Sequence, residues 1–116
     1  MMLPDPVSTH EVSCAHVAAW ANLPETERPR LIDCRERDEW DICHLDGAEL
    51  YPLSVFPTQA AAFGESPNGF VIYCHHGMRS LRATAFLRSL GITNVFSMAG
   101  GIEEWSRLID PDMPRY

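Results

Sequence analysis

The stretch Gly69-Phe70-Val71-Ile72-Tyr73-Cys74-His75-His76-Gly77-Met78-Arg79-Ser80 holds the clearest local signals of the chain. Its first part is a β-branched and aromatic run, the composition of a buried strand. A polar loop from Cys74 to Arg79 follows, and from Ser80 the apolar residues Ala83, Phe86, Leu87 and Leu90 return on one helical face. Gly91 then stands where a helix takes a left-handed cap. This order places Cys74 just after a strand and just ahead of a helix, where unpaired backbone N–H groups converge. A helix terminus stabilises a thiolate by about 0.3–1 kcal/mol, and the charge of Arg79 adds to it. Cys74 is therefore the expected nucleophile. Gly77 suits a loop whose backbone must approach a ligand, and Ser80 is expected to cap the helix and donate to a bound anion. His75 and His76 are expected donors to that anion, as are the backbone N–H groups of residues 75 to 79, Met78 and Arg79 among them.

Outward from this unit, strands and helices alternate. Ser13 can cap a helix with an apolar face of Cys14, Val17, Ala18 and Ala21, which Pro24 to Pro29 then breaks. Arg30 to Cys34 reads as a buried strand delivering Asp33 and Arg35 to a sheet edge, where the two can pair and Arg35 can serve as a secondary anion contact. Glu36 to Cys43 reads as a brief helix, Ala48 to Leu53 as a strand, and Val55 to Phe63 as a helix ended by Gly64. Asn94 to Met98 is a last strand. Gly100-Gly101 turns into a helix carrying Ile102, Trp105 and Ile109, ahead of a tail from Asp110 to Tyr116. Such alternation predicts a parallel sheet covered on both faces, with ligands at the carboxyl ends of its strands.

The 116 residues, 46% hydrophobic and 22% charged, suit one globular domain that needs neither disulfide nor metal to fold. No run is long enough to span a membrane and no signal peptide is evident, so the expected location is cytoplasmic. A formal charge of −7 argues against nucleic-acid and anionic-membrane surfaces. All nine bases are arginine, which excludes a lysine Schiff base. From Ser66 to Ile102 there is no Asp or Glu, while Arg79, Arg82 and Arg88 make a positive island suited to a small anion. No spacing of Cys34, Cys43, His44, Cys74, His75 and His76 supports a metal site.

Four segments together resemble the rhodanese-like sulfurtransferases from about Leu31 to Trp105. These are Leu31-Ile32-Asp33-Cys34-Arg35-Glu36 with Glu39-Trp40, then His44-Leu45-Asp46-Gly47-Ala48, the loop Cys74 to Ser80, and Ala99-Gly100-Gly101-Ile102 with Trp105. The tail Asp110-Pro111-Asp112-Met113-Pro114-Arg115-Tyr116 is similar to that of some bacterial single-domain members. The resemblance implies a single rhodanese-like α/β domain over residues 1–116, with a central, mostly parallel, five-stranded sheet and helices on both faces. It also implies that Cys74 accepts sulfane sulfur as a persulfide from a small anionic donor such as thiosulfate and passes it to a thiol or cyanide, with no cofactor. Two other functions stay open. One is a phosphatase or arsenate-handling enzyme on a related fold, against which four residues rather than five separate Cys74 from Arg79. The other is a non-catalytic partner-binding module, which usually lacks the cysteine. This chain departs from the family at Cys43, where a glycine is usual before the histidine matching His44. Cys34 and Cys43 are expected to pack, as free cysteines usually do. If either lies near Cys74 it could instead resolve a persulfide into a disulfide.

Overall fold

A computed structural model describes residues 3–59 and 66–116. Five strands, β1 (Glu11–Val12), β2 (Arg30–Asp33), β3 (Glu49–Leu50), β4 (Phe70–Tyr73) and β5 (Val95–Met98), form one sheet in the order β1-β5-β4-β2-β3. Every pairing among them is parallel. The helices are α1 (Cys14–Trp20), α2 (Arg37–Ile42), α3 (Phe56–Gln59), α4 (Met78–Ser89) and α5 (Gly101–Leu108). The expected α/β architecture is therefore present, with an all-parallel sheet.

Strand alternation sorts the core into two layers. Ile32, Phe70 and Ile72 turn to one face, where Phe56 of α3 and Ala83 and Leu87 of α4 cover them. Val71, Tyr73, Phe96 and Met98 turn to the other, against Cys14 and Val17 of α1 and Ile102 of α5. All four residues of β4 are buried, as a central strand covered on both sides requires. Each such side chain contributes about 1.5–3 kcal/mol relative to exposure. Cys34 and Cys74 continue the first face beyond the ends of β2 and β4.

Several expected boundaries shift for local reasons. Strand β3 covers only Glu49–Leu50, because Pro52 has no N–H for a ladder and the chain then coils into a 3₁₀ turn at Leu53–Val55. Tyr51 and Leu53 still donate to the carbonyls of Asp33 and Cys34, so this segment follows the end of β2. The expected helix from Val55 is seen as α3, and its expected end at Gly64 lies outside the described residues. The two-residue strand β1 was too short to leave a periodic signal. Ser13 caps α1 as expected, accepting from the His16 N–H at 3.1 Å, but Ala21 is exposed at the helix end. Helix α4 starts at Met78, two residues earlier than expected, with Gly77 as its N-cap.

Candidate active site

The loop between β4 and α4 lies at the carboxyl end of the central strand, where open parallel sheets place their ligands. Gly77 takes φ +106°, a conformation that bends the chain back over Cys74. The Cys74 sulfur then accepts the N–H groups of Gly77 at 3.1 Å and Ser80 at 3.3 Å. These are amides of the first helical turn, which have no partner within the helix. Ser80 is therefore not the cap. Its hydroxyl is buried 3.4 Å from the Cys74 sulfur and 2.7 Å from the Ser97 hydroxyl. The Ser80 hydroxyl also reaches the Gly77 carbonyl at 3.2 Å, so with Ser97 donating to Ser80 its one proton is shared between that carbonyl and the sulfur.

A second thiol completes this environment. Ile32 and Asp33 of β2 pair with Ile72 and Tyr73 of β4, so Cys34 stands beside Cys74 one residue further on. The Cys34 N–H donates to Tyr73 O at 3.0 Å, which carries the register past the strand ends. The neighbouring Cys34 thiol, together with the Ser80 and Gly77 hydrogen bonds, holds the Cys74 pKa down at about 5 against the cost of burial. At pH 7 about 99 in 100 such groups are ionised. The proton stays on Cys34, whose own pKa is raised far above the ordinary range by neighbouring Cys74 and by burial.

Arg79, expected to add its charge to the helix terminus, has that charge partnered. Its guanidinium grips Glu39 through two bonds of 2.6 and 2.8 Å, which hold the Glu39 carboxyl at about 2. Hydrogen bonds at the sulfur outweigh the more distant cation. Arg35 corrects a second expectation. It is fully buried, and its donors serve Asp33 at 2.7–3.1 Å, the Cys43 carbonyl at 2.6 Å and the Tyr116 hydroxyl at 2.7 Å. It braces the end of β2 and has no free fork for an anion.

The tail returns to the same place. The Tyr116 hydroxyl accepts from Arg35 and donates to Glu39 at 2.7 Å, so one phenol links the two arginine–carboxylate pairs. Its ring stacks on His75 with centroids 3.9 Å apart, and His76 also stacks on His75 at 3.9 Å. Burial and neighbouring His76 push the His75 pKa down, so His75 is a neutral ring held by the tail rather than a cationic donor. His76 and Met78 are exposed on the outside of the loop. Cys43 also belongs to the tail contact, its thiol donating to Pro114 O at 3.3 Å.

Helix α5 supports the loop from below. Ile102 N–H donates to Cys74 O at 2.8 Å and Glu103 N–H to His75 O at 3.0 Å. Gly101, at φ +63°, is where a Cβ would run into both of those carbonyl oxygens. Sequence reasoning gave no role to Glu39, Ser97 or Tyr116. Each reaches the loop from a distant part of the chain, and the motif residues around Glu39 and the tail ending in Tyr116 were the signals that could have flagged two of them.

Comparisons with known proteins bear on the family and the fold. The model of the Rhodanese-like domain family matches residues 17–108. The probable adenylyltransferase/sulfurtransferase MoeZ of Mycobacterium tuberculosis is 38% identical over 87 residues, which are 74% of this chain and 22% of that protein. The adenylyltransferase and sulfurtransferase uba4 of Ogataea parapolymorpha is 31% identical over 94 residues, 81% of this chain and 24% of that protein. The chain thus spans about a quarter or less of the length of these two relatives. The structure of the human single-domain sulfurtransferase TSTD1 matches with a TM-score of 0.72 at 29% identity, covering 86% of this chain and 97% of that one. A matched family model over most of the chain, and a parallel sheet that delivers Cys74 into its own amide cradle, make this chain a member of the rhodanese-like domain family.

Proposed function

We propose that this chain transfers sulfane sulfur through a persulfide on Cys74. The observation that carries the reading is the convergence of the Gly77 and Ser80 amides on one sulfur atom. A Cys74 thiolate attacks the outer sulfur of an anionic donor such as thiosulfate, the sulfur–sulfur bond of the donor breaks, and sulfite leaves with its electron pair. The outer sulfur of the persulfide then carries the negative charge near the start of α4, where oriented N–H groups stabilise it without reorganising. A thiol or cyanide attacks that sulfur and regenerates the thiolate. With a Cys74 pKa of about 5, no base is needed for the first step at neutral pH. The names of the relatives, which include sulfurtransferase, support the same chemistry.

The cradle closes on one atom, a better match to a single sulfur than to a tetrahedral phosphoryl group. Thiocyanate formation from thiosulfate and cyanide should therefore far exceed hydrolysis of an aryl phosphate by the same preparation. Efficient phosphate hydrolysis without thiocyanate would replace this reading.

A further inference from the structure

We propose that Cys34 is a resolving cysteine, which turns the Cys74 persulfide into an intramolecular disulfide and releases hydrosulfide when no acceptor is present. This rests on the persulfide reading above and adds to it a second outcome for the bound sulfur.

The argument begins with the backbone. Parallel neighbours in register lie about 4.8 Å apart. A disulfide spans Cα separations of about 4.4–6.8 Å. The pairings Ile32 with Ile72 and Asp33 with Tyr73, continued by the Cys34 N–H to Tyr73 O bond, put Cys34 and Cys74 in that relation. Strand alternation sends both side chains to the same face, and both belong to one buried cluster. Each thiol also shifts the acidity of the other, Cys74 downward and Cys34 upward, as neighbouring groups do. Cys14 and Cys43 are engaged elsewhere, Cys14 with the carbonyls of Ala99 and Gly101 and Cys43 with Pro114.

Loading changes what Cys34 faces. In the free enzyme its proton is held by the negative sulfur of Cys74. In the persulfide that charge has moved to the outer sulfur, and the inner one is a divalent, electrophilic atom. The Cys34 sulfur attacks the inner sulfur and a Cys34–Cys74 bond forms. The bond between inner and outer sulfur breaks with its electrons on the outer atom, which takes the Cys34 proton and leaves as hydrosulfide. The sulfane sulfur is reduced by two electrons and the two cysteines are oxidised by two. A dithiol reductant returns both to thiols. An external acceptor that removes the outer sulfur first prevents all of this, so the acceptor supply decides between transfer and release.

The test mixes the full chain with thiosulfate alone, without cyanide or thiol, and follows sulfite, sulfide and the state of each cysteine. One sulfite per chain reports loading. The proposal expects close to one sulfide per chain to follow, with a Cys34–Cys74 disulfide in the peptide map. Cys34→Ser should load more slowly, because Cys74 loses the support of that thiol, but whatever sulfur it loads should stay on Cys74, with sulfide released per sulfite lowered at least tenfold. Sulfite without sulfide, and with a stable persulfide in the parent protein, overturns the proposal and leaves the sulfurtransferase reading standing. Absence of sulfite overturns that reading as well. Because Cys34 is buried and its variant could fold poorly, the disulfide map of the parent protein decides the matter independently. A disulfide joining any other pair of cysteines also counts against it.

Discussion

Removing the Cys34 thiol should cost Cys74 more acidity than removing the charge of Arg79. A hydrogen bond to an ionised group contributes about 1.5–3 kcal/mol. At 1.36 kcal/mol per pH unit, Cys34→Ala should raise the midpoint of Cys74 alkylation by about one to two pH units. Arg79→Ala should move it less, because Glu39 already holds that guanidinium. The folded-state pKa is depressed, so alkylation persists down to about pH 5 in the parent protein and is lost below it. A larger shift in Arg79→Ala than in Cys34→Ala would reverse this ranking. Cys74, Gly77 and the presence of Arg79 were legible in the sequence because all three sit in one short loop. The weight of each contribution was not, since it depends on partners from β2 and α2. Cys34 was a near miss: both cysteines could be read at strand ends, but only the pairing register places them side by side.

Helix α5 holds the loop through backbone contacts that leave no room for a side chain at Gly101. Gly101→Ala combines the strain of a left-handed conformation with a clash against the Cys74 and His75 carbonyls, a loss of at least about 2 kcal/mol. Gly91, at φ +94°, has open space around its position, so Gly91→Ala should cost only about 1 kcal/mol. Denaturant titration of the two variants checks the difference, and equal losses would mean that the α5 contact is slack. At this level the sequence was informative wherever an element had a run long enough to show a period, as β4 and α4 did. It misjudged β3, where Pro52 ends the ladder before the apolar pattern ends, and it missed β1, whose pairing with β5 depends on tertiary contact.

The C-terminal tail meets the middle of the chain at one cluster, in which Asp33, Arg35, Tyr116, Glu39 and Arg79 are linked in turn. This link makes part of the stability of the fold depend on acid. The Glu39 carboxyl is depressed to about 2 in the folded chain against about 4.3 unfolded, so its contribution is complete above about pH 5 and fades as pH falls towards 2. Allowing for solvent at Arg79, Glu39→Gln should lose about 1–2 kcal/mol at pH 7. Against the parent protein the gap should narrow at about pH 3, and a gap of constant size would contradict the linkage. The tail was legible as a motif but not as part of the site, because nothing local says that Tyr116 will lie on His75. What the whole molecule is arranged to do is tested most directly by rapid mixing with thiosulfate and counting sulfite, which reports the loading step whatever becomes of the sulfur afterwards. A burst of one sulfite per chain, kept in Cys14→Ser and abolished in Cys74→Ser, is the predicted result. A burst that survives in Cys74→Ser would contradict the assignment of the nucleophile.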